Sequence, residues 1–84
     1  MKPIRLTHHA REQAIERGAT EAEVRLAVER GAREPAKTGR ELCRYNVSFD
    51  AEWAGKHYAI KQVAPVVKEE PNETVVITVY TFYF

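Results

Sequence analysis

The final twelve residues, Glu73-Thr-Val-Val-Ile-Thr-Val-Tyr-Thr-Phe-Tyr-Phe84, constrain the fold of this chain more than any other stretch. A run so dense in β-branched and aromatic side chains fits a strand buried on both faces. It predicts a strand in the middle of a sheet, so that the chain ends in its own core. Eighty-four residues supply one core and no second, because a chain of this size buries only roughly 60% of its unfolded surface. A single domain over 1–84 is expected.

Helical signals precede residue 40. Thr7 is placed to cap a helix over 8–17, and Gly18 follows as its left-handed stop. Thr20-Glu-Ala-Glu23 matches a capping box that opens a second helix, closed by Gly31. Val24, Ala27 and Val28 give that second helix an apolar stripe, whereas the first has only Ala10, Ala14 and Ile15. Small alanines suit a helix lying close to its support with a broad polar face outward.

From residue 41 the period becomes two. Cys43, Tyr45, Val47 and Phe49 alternate with Leu42, Arg44, Asn46 and Ser48, the pattern of a strand with one wet face. Residues 50–56 read as a hairpin connection to a strand over about 57–64, which Pro65 either ends or bulges, and 68–73 read as a second turn. Residues 33–38 are placed to add a short edge strand. The expected architecture is α+β, two N-terminal helices packed on one face of a three- to four-stranded, mostly antiparallel sheet. With Cys43, Tyr45, Val47, Tyr58, Ile60, Val75, Ile77 and Val79 under the helices, the opposite face collects Arg44, Asn46, Ser48, His57, Lys61, Thr78 and Tyr80. An open antiparallel sheet also keeps such a face polar for solvation alone.

Thirteen Lys plus Arg against twelve Asp plus Glu leave a net +1, which argues against a strongly basic nucleic-acid coat. The distribution is uneven: residues 1–44 carry ten basic and seven acidic side chains, residues 45–84 three and five. The single Cys43 excludes an internal disulfide and a thiolate-rich zinc site, and it reads as a small buried hydrophobe. His8 and His9 are adjacent and diverge by about 100° on a helix, so no metal site is expected. No phosphate-binding glycine loop, nucleophile elbow or dinucleotide fingerprint occurs, and no cofactor is expected. Lacking a long apolar leader or a helical span, the chain is expected in the cytoplasm, away from membranes.

Metal-free RNA cleavage needs a base for the 2′-hydroxyl, a cation for the charged phosphorane and an acid for the leaving oxygen. His8, His9 and His57 are the candidate proton acceptors, Lys61 and Arg17 can supply positive charge, and Tyr80 can donate or accept a hydrogen bond. Each has an ordinary alternative: Arg17 suits the macrodipole at a helix end, and Lys61 and Tyr80 suit a wet strand face.

The order His9-Ala10-x-x-x-x-x-x-Arg17-Gly18, a capped second helix and a closing Val76-Ile-Thr-Val-Tyr80 strand resembles the domain-of-unknown-function family 4258, which is grouped with BrnT and RelE-like toxins. The resemblance implies a RelE-like fold and a metal-independent endoribonuclease toxin. In that reading His9 and Arg17 carry the family's helical motif and Thr78 and Tyr80 its last-strand motif; joined to the chemistry of the residues themselves, this gives His9, Lys61 and Tyr80 as expected catalytic groups and Arg17, Arg44, His57 and Thr78 as expected substrate-binding ones. The implied partners are RNA, free or on the ribosome, and a cognate antitoxin. The chain departs from the family at Gln13, where members often carry Arg, and at Ala14, where they carry a larger apolar residue. The alternative is a non-catalytic interaction module or inactive toxin relative, homodimeric through its aromatic C-terminal edge.

Overall fold

The computed structural model of the protein describes residues 2–84. It is an α+β fold. The elements run β1 (Ile4–Leu6), α1 (His8–Glu16), α2 (Glu21–Arg30), β2 (Ala32–Pro35), a 3₁₀ turn (Lys37–Gly39), β3 (Glu41–Trp53), β4 (Lys56–Glu69) and β5 (Thr74–Tyr83). The five strands form one sheet in the order β1-β5-β4-β3-β2. All neighbours are antiparallel except β1 and β5.

The caps act where their residues predict. Thr7 Oγ1 accepts the Ala10 amide at 3.1 Å, and Gly18 leaves α1 at φ 78°. Thr20 and Glu23 exchange both bonds of the capping box, at 3.1 and 2.9 Å. Ala10 and Ala14 of α1 and Val24, Ala27 and Val28 of α2 then meet Cys43, Val63, Val67, Val76 and Val79 of the sheet. Both helices lie on one face, and the thiol of Cys43 is buried among apolar side chains, which pushes its pKa up.

Four expectations are corrected. The sheet has five strands, because Ile4–Leu6 pairs in parallel with Thr74–Val76. The closing strand is therefore second from an edge, covered by β1 only over its first three residues, and its later residues Tyr80 and Phe82 are exposed. The hairpin turn is only Ala54-Gly55, both at positive φ. Finally, β4 continues past Pro65 rather than ending there, with a register irregularity close by, between Val66 and Val67. The pairing with β3 passes from Leu42↔Val66 to Tyr45↔Val63, lapsing opposite a residue that has no N–H to give.

Two bulges decide which side chains share a face. The amides of Ala59 and Ile60 both donate to the carbonyl of Phe84, at 2.8 and 3.1 Å, so β4 spends two residues on one partner. A second irregularity between Val66 and Val67 leaves Ile77 of β5 without a counterpart. Each inverts the alternation beyond it. As a result Lys61, Val63 and Val67 lie on the helix side with Val76 and Val79, while Ile60 and Val75 turn to the other.

The β4–β5 turn is tied to β1 and β2 by Glu69, which meets Lys2 at 2.9 Å, Arg33 at 2.6 Å and the Thr74 hydroxyl at 2.6 Å. The Thr74 hydroxyl, then Lys2 and Arg33, lower its pKa from an ordinary 4.5 to about 2. Because the folded value is the depressed one, this stabilisation is present above about 4.5 and is lost as pH falls toward about 2. Urea midpoints measured across that interval should fall less steeply for Glu69→Gln than for the parent chain; parallel curves would refute the assignment.

Candidate functional site

The helices leave one sheet face uncovered. Alternation places on it Leu42, Arg44 and Asn46 from β3, Gln62, Ala64 and Val66 from β4, and Thr78, Tyr80 and Phe82 from β5, paired as Asn46↔Gln62↔Phe82, Ala64↔Tyr80 and Leu42↔Val66↔Thr78. Tyr80 is 43% exposed and Phe82 39%. An open groove of about 420 Å³ on this side is lined by Leu42, Val66, Thr78 and Tyr80 together with Lys37 of the 3₁₀ turn and Arg40 just after it.

Tyr80 and Phe82 each carry a guanidinium. Arg44 Cζ lies 5.4 Å from the Phe82 centroid, and Arg44 is oriented by Glu34 at 3.1 Å and by Gln62 at 2.9 Å. Gln62 in turn donates to Asn46 at 2.8 Å, so its amide is spent on both sides. Arg17 comes from the helix side. Beyond β1 the flank of β5 is free, and Arg17 reaches along it to donate to the Val79 carbonyl at 2.8 Å, with Cζ 5.0 Å from the Tyr80 centroid. Guanidinium over an aromatic face is attractive at this range, and it leaves further N–H donors for an anion.

The structure thus brings together Arg17, Arg44, Thr78 and Tyr80 of the residues expected in the site, and it separates the other three. Lys61 is the principal correction. Its side chain is 7% exposed on the helix side, with Nζ 2.8 Å from the Gly18 carbonyl and 2.8 Å from Glu23. It cannot act jointly with Tyr80 across the sheet, because the bulge at Ala59–Ile60 inverted its side. His57 stands near the β3–β4 hairpin tip, bonded to Asp50 at 2.8 Å. His9 is exposed on the first turn of α1 and has no polar partner among the described residues.

Two contributors, Lys37 and Arg40, lie outside the sequence expectation. The aromatic terminus Tyr80-Thr-Phe-Tyr-Phe84 reads from sequence either as core or dimer packing or as a surface that stacks bases, and Phe82 proves exposed. Lys37-Thr-Gly-Arg40 carried a usable signal, two cations astride a glycine turn. Among the described residues there is no cluster of three His, Cys, Asp or Glu side chains suited to a metal ion, and no helix is long and apolar enough to cross a membrane. Comparison with family models, with curated proteins and with solved structures finds no match.

Proposed function

We propose that the uncovered sheet face binds single-stranded RNA, with bases stacked on Tyr80 and Phe82 and phosphates met by Arg17, Arg44, Lys37 and Arg40. The observation that carries this reading is the repeated unit of an exposed ring with its own guanidinium. Flat aromatic faces accept any unstacked base, and cations set beside them accept the backbone that follows. A groove lined by both apolar side chains and the cations Lys37 and Arg40 fits the same ligand. Duplexes keep their bases stacked and give such a platform little to hold.

Within this reading the protein is a toxin-like RNA-binding domain, and an antitoxin would neutralise it by covering this face. Cleavage would fall to Tyr80 as proton donor, with Arg17 stabilising charge, since Lys61 is engaged elsewhere. Binding is better supported than cutting: the described open face offers a phenol and guanidinium groups, and its carboxylate, Glu34, is held by Arg44. That favours the second reading, a relative that binds RNA without cutting it.

Fluorescence anisotropy with labelled single-stranded and duplex RNA, followed by gel analysis of the same mixtures, tests both readings. Single strands should bind more tightly. Their affinity should fall with salt at a log–log slope of about −1.4 to −2.8, corresponding to roughly two to four phosphate contacts. Absence of binding at low salt, or preference for the duplex, would remove the proposal; intact RNA after binding would select the non-cutting form.

A further inference from the structure

We infer that Lys61 is a positioning residue: it fixes the turn after α1 and so delivers Arg17 along the flank of β5 to Tyr80. The functional half of this inference rests on the RNA-binding reading above.

The last carbonyls of a helix lack intrahelical partners and must find donors elsewhere. Here the carbonyls of the cap residue Arg17 and of Gly18 after it are met by side chains of the sheet. The Arg17 carbonyl accepts the Thr81 hydroxyl at 3.0 Å and the Tyr83 hydroxyl at 2.6 Å, and the Gly18 carbonyl accepts Lys61 Nζ at 2.8 Å. Lys61 Nζ also lies 2.8 Å from Glu23 Oε1, the atom that accepts the Thr20 amide at 2.9 Å. One buried ammonium thereby ties the end of α1 to the start of α2.

The turn is seated from below as well. Trp53 and Tyr83 stack at 4.9 Å with 14° between their planes, and a Cβ on Gly18 would stand 2.7 Å from Trp53 Cζ3 and 2.7 Å from the Tyr83 hydroxyl. No side chain larger than hydrogen fits between turn and stack.

The Arg17 backbone is therefore anchored on the helix side, while its guanidinium lies 5.0 Å from a ring on the other face. Between anchor and head stands one flexible side chain, so a rotation of the turn carries the head away from Val79 and Tyr80. Of the three donors, Lys61 alone bridges to the next helix. Burial opposes the charge of Glu23, and the bonds from Lys61 and Thr20 outweigh it, holding the carboxyl below its ordinary range. Glu23 is thus ionised at neutral pH where it faces Lys61 Nζ. A lysine at a helix C-terminus is commonly only a cap; this one sits beneath the arm that carries a binding residue.

The test uses Lys61→Met together with Glu23→Gln, which leaves no unpaired buried charge, and Arg17→Ala for reference. In the folded parent chain, NMR should show the Arg17 side-chain protons shifted upfield by the Tyr80 ring. The double variant should lose that shift while remaining folded, with no RNA present. Its affinity for single-stranded RNA should fall to that of Arg17→Ala, its salt slope should shrink by about 0.7, the share of one phosphate contact, and adding Arg17→Ala to it should cost nothing more. A folded variant that keeps the Arg17 shift overturns the inference, as does one that loses stability but binds RNA as before. If the shift is lost while Arg17→Ala itself binds RNA normally, Arg17 is still positioned by Lys61, and the RNA contact assigned to Arg17 is what fails. Should the variants not fold, Lys61→Arg serves instead: a retained shift and retained affinity support the bridge, and a lost shift with full affinity refutes it.

Discussion

Gly31→Ala should lower the melting temperature by about 10–20 °C, on a cost near the upper end of the roughly 1–3 kcal/mol typical of overpacking. Gly31 closes α2, donating its amide to the Ala27 carbonyl at 2.8 Å, and it does so with extended backbone, φ −69° and ψ 155°. Its requirement for glycine is therefore one of space. A Cβ there would lie 2.4 Å from the Ala27 oxygen and 2.8 Å from the Arg44 oxygen. Both obstacles are backbone, one in α2 and one in β3, and neither can turn aside as a side chain would. Relief requires α2 to move away from the strand that carries Arg44, so the site face is disturbed along with the core. Thermal circular dichroism measures the loss directly. An alanine variant melting with the parent chain would show that helix and strand are not in the contact described.

Tyr80→Ala should weaken binding of single-stranded RNA by about 5- to 150-fold, the range set by the roughly 1–3 kcal/mol that one aromatic stacking partner contributes. The loss has two sources. The ring offers the flat surface for a base, and it also supports the Arg17 guanidinium above it. Tyr80→Phe keeps both and should bind almost as the parent does, yet it removes the hydroxyl, so any cleavage that depends on Tyr80 as an acid should stop in it. Stability should change little in either variant because the ring is 43% exposed and its partner across the strand pair is Ala64. Unaltered affinity in Tyr80→Ala, measured by anisotropy on folded protein, would place the RNA elsewhere.

Local signals in the chain translated directly into structure. Thr7, Gly18 and the Thr20–Glu23 box bound the helices because caps act over three or four residues and need nothing distant. The alternation of Cys43 through Phe49 was legible for the same reason: four successive pairs repeat without interruption. Ile4-Arg5-Leu6 was not legible as a strand, since three residues carry almost no periodicity and their partner lies some seventy positions away. At Pro65 the missing donor is evident in sequence and allows either a strand end or a bulge; the tolerance of the neighbouring strand for a lapse in pairing, which lets β4 continue, is not evident there.

Sequence alone determined the helix boundaries, the one-sided covering of the sheet and the candidacy of Arg17, Arg44, Thr78 and Tyr80. Tertiary structure alone decided that Lys61 belongs beneath the helices and Phe82 outside. The reason is physical: a strand reports the side of a residue only by parity, and a single bulge reverses parity for everything beyond it at little energetic cost. Such a bulge is settled by how two strands and a helical layer fit together, as at Ala59–Ile60, where both amides turn to the one carbonyl of Phe84.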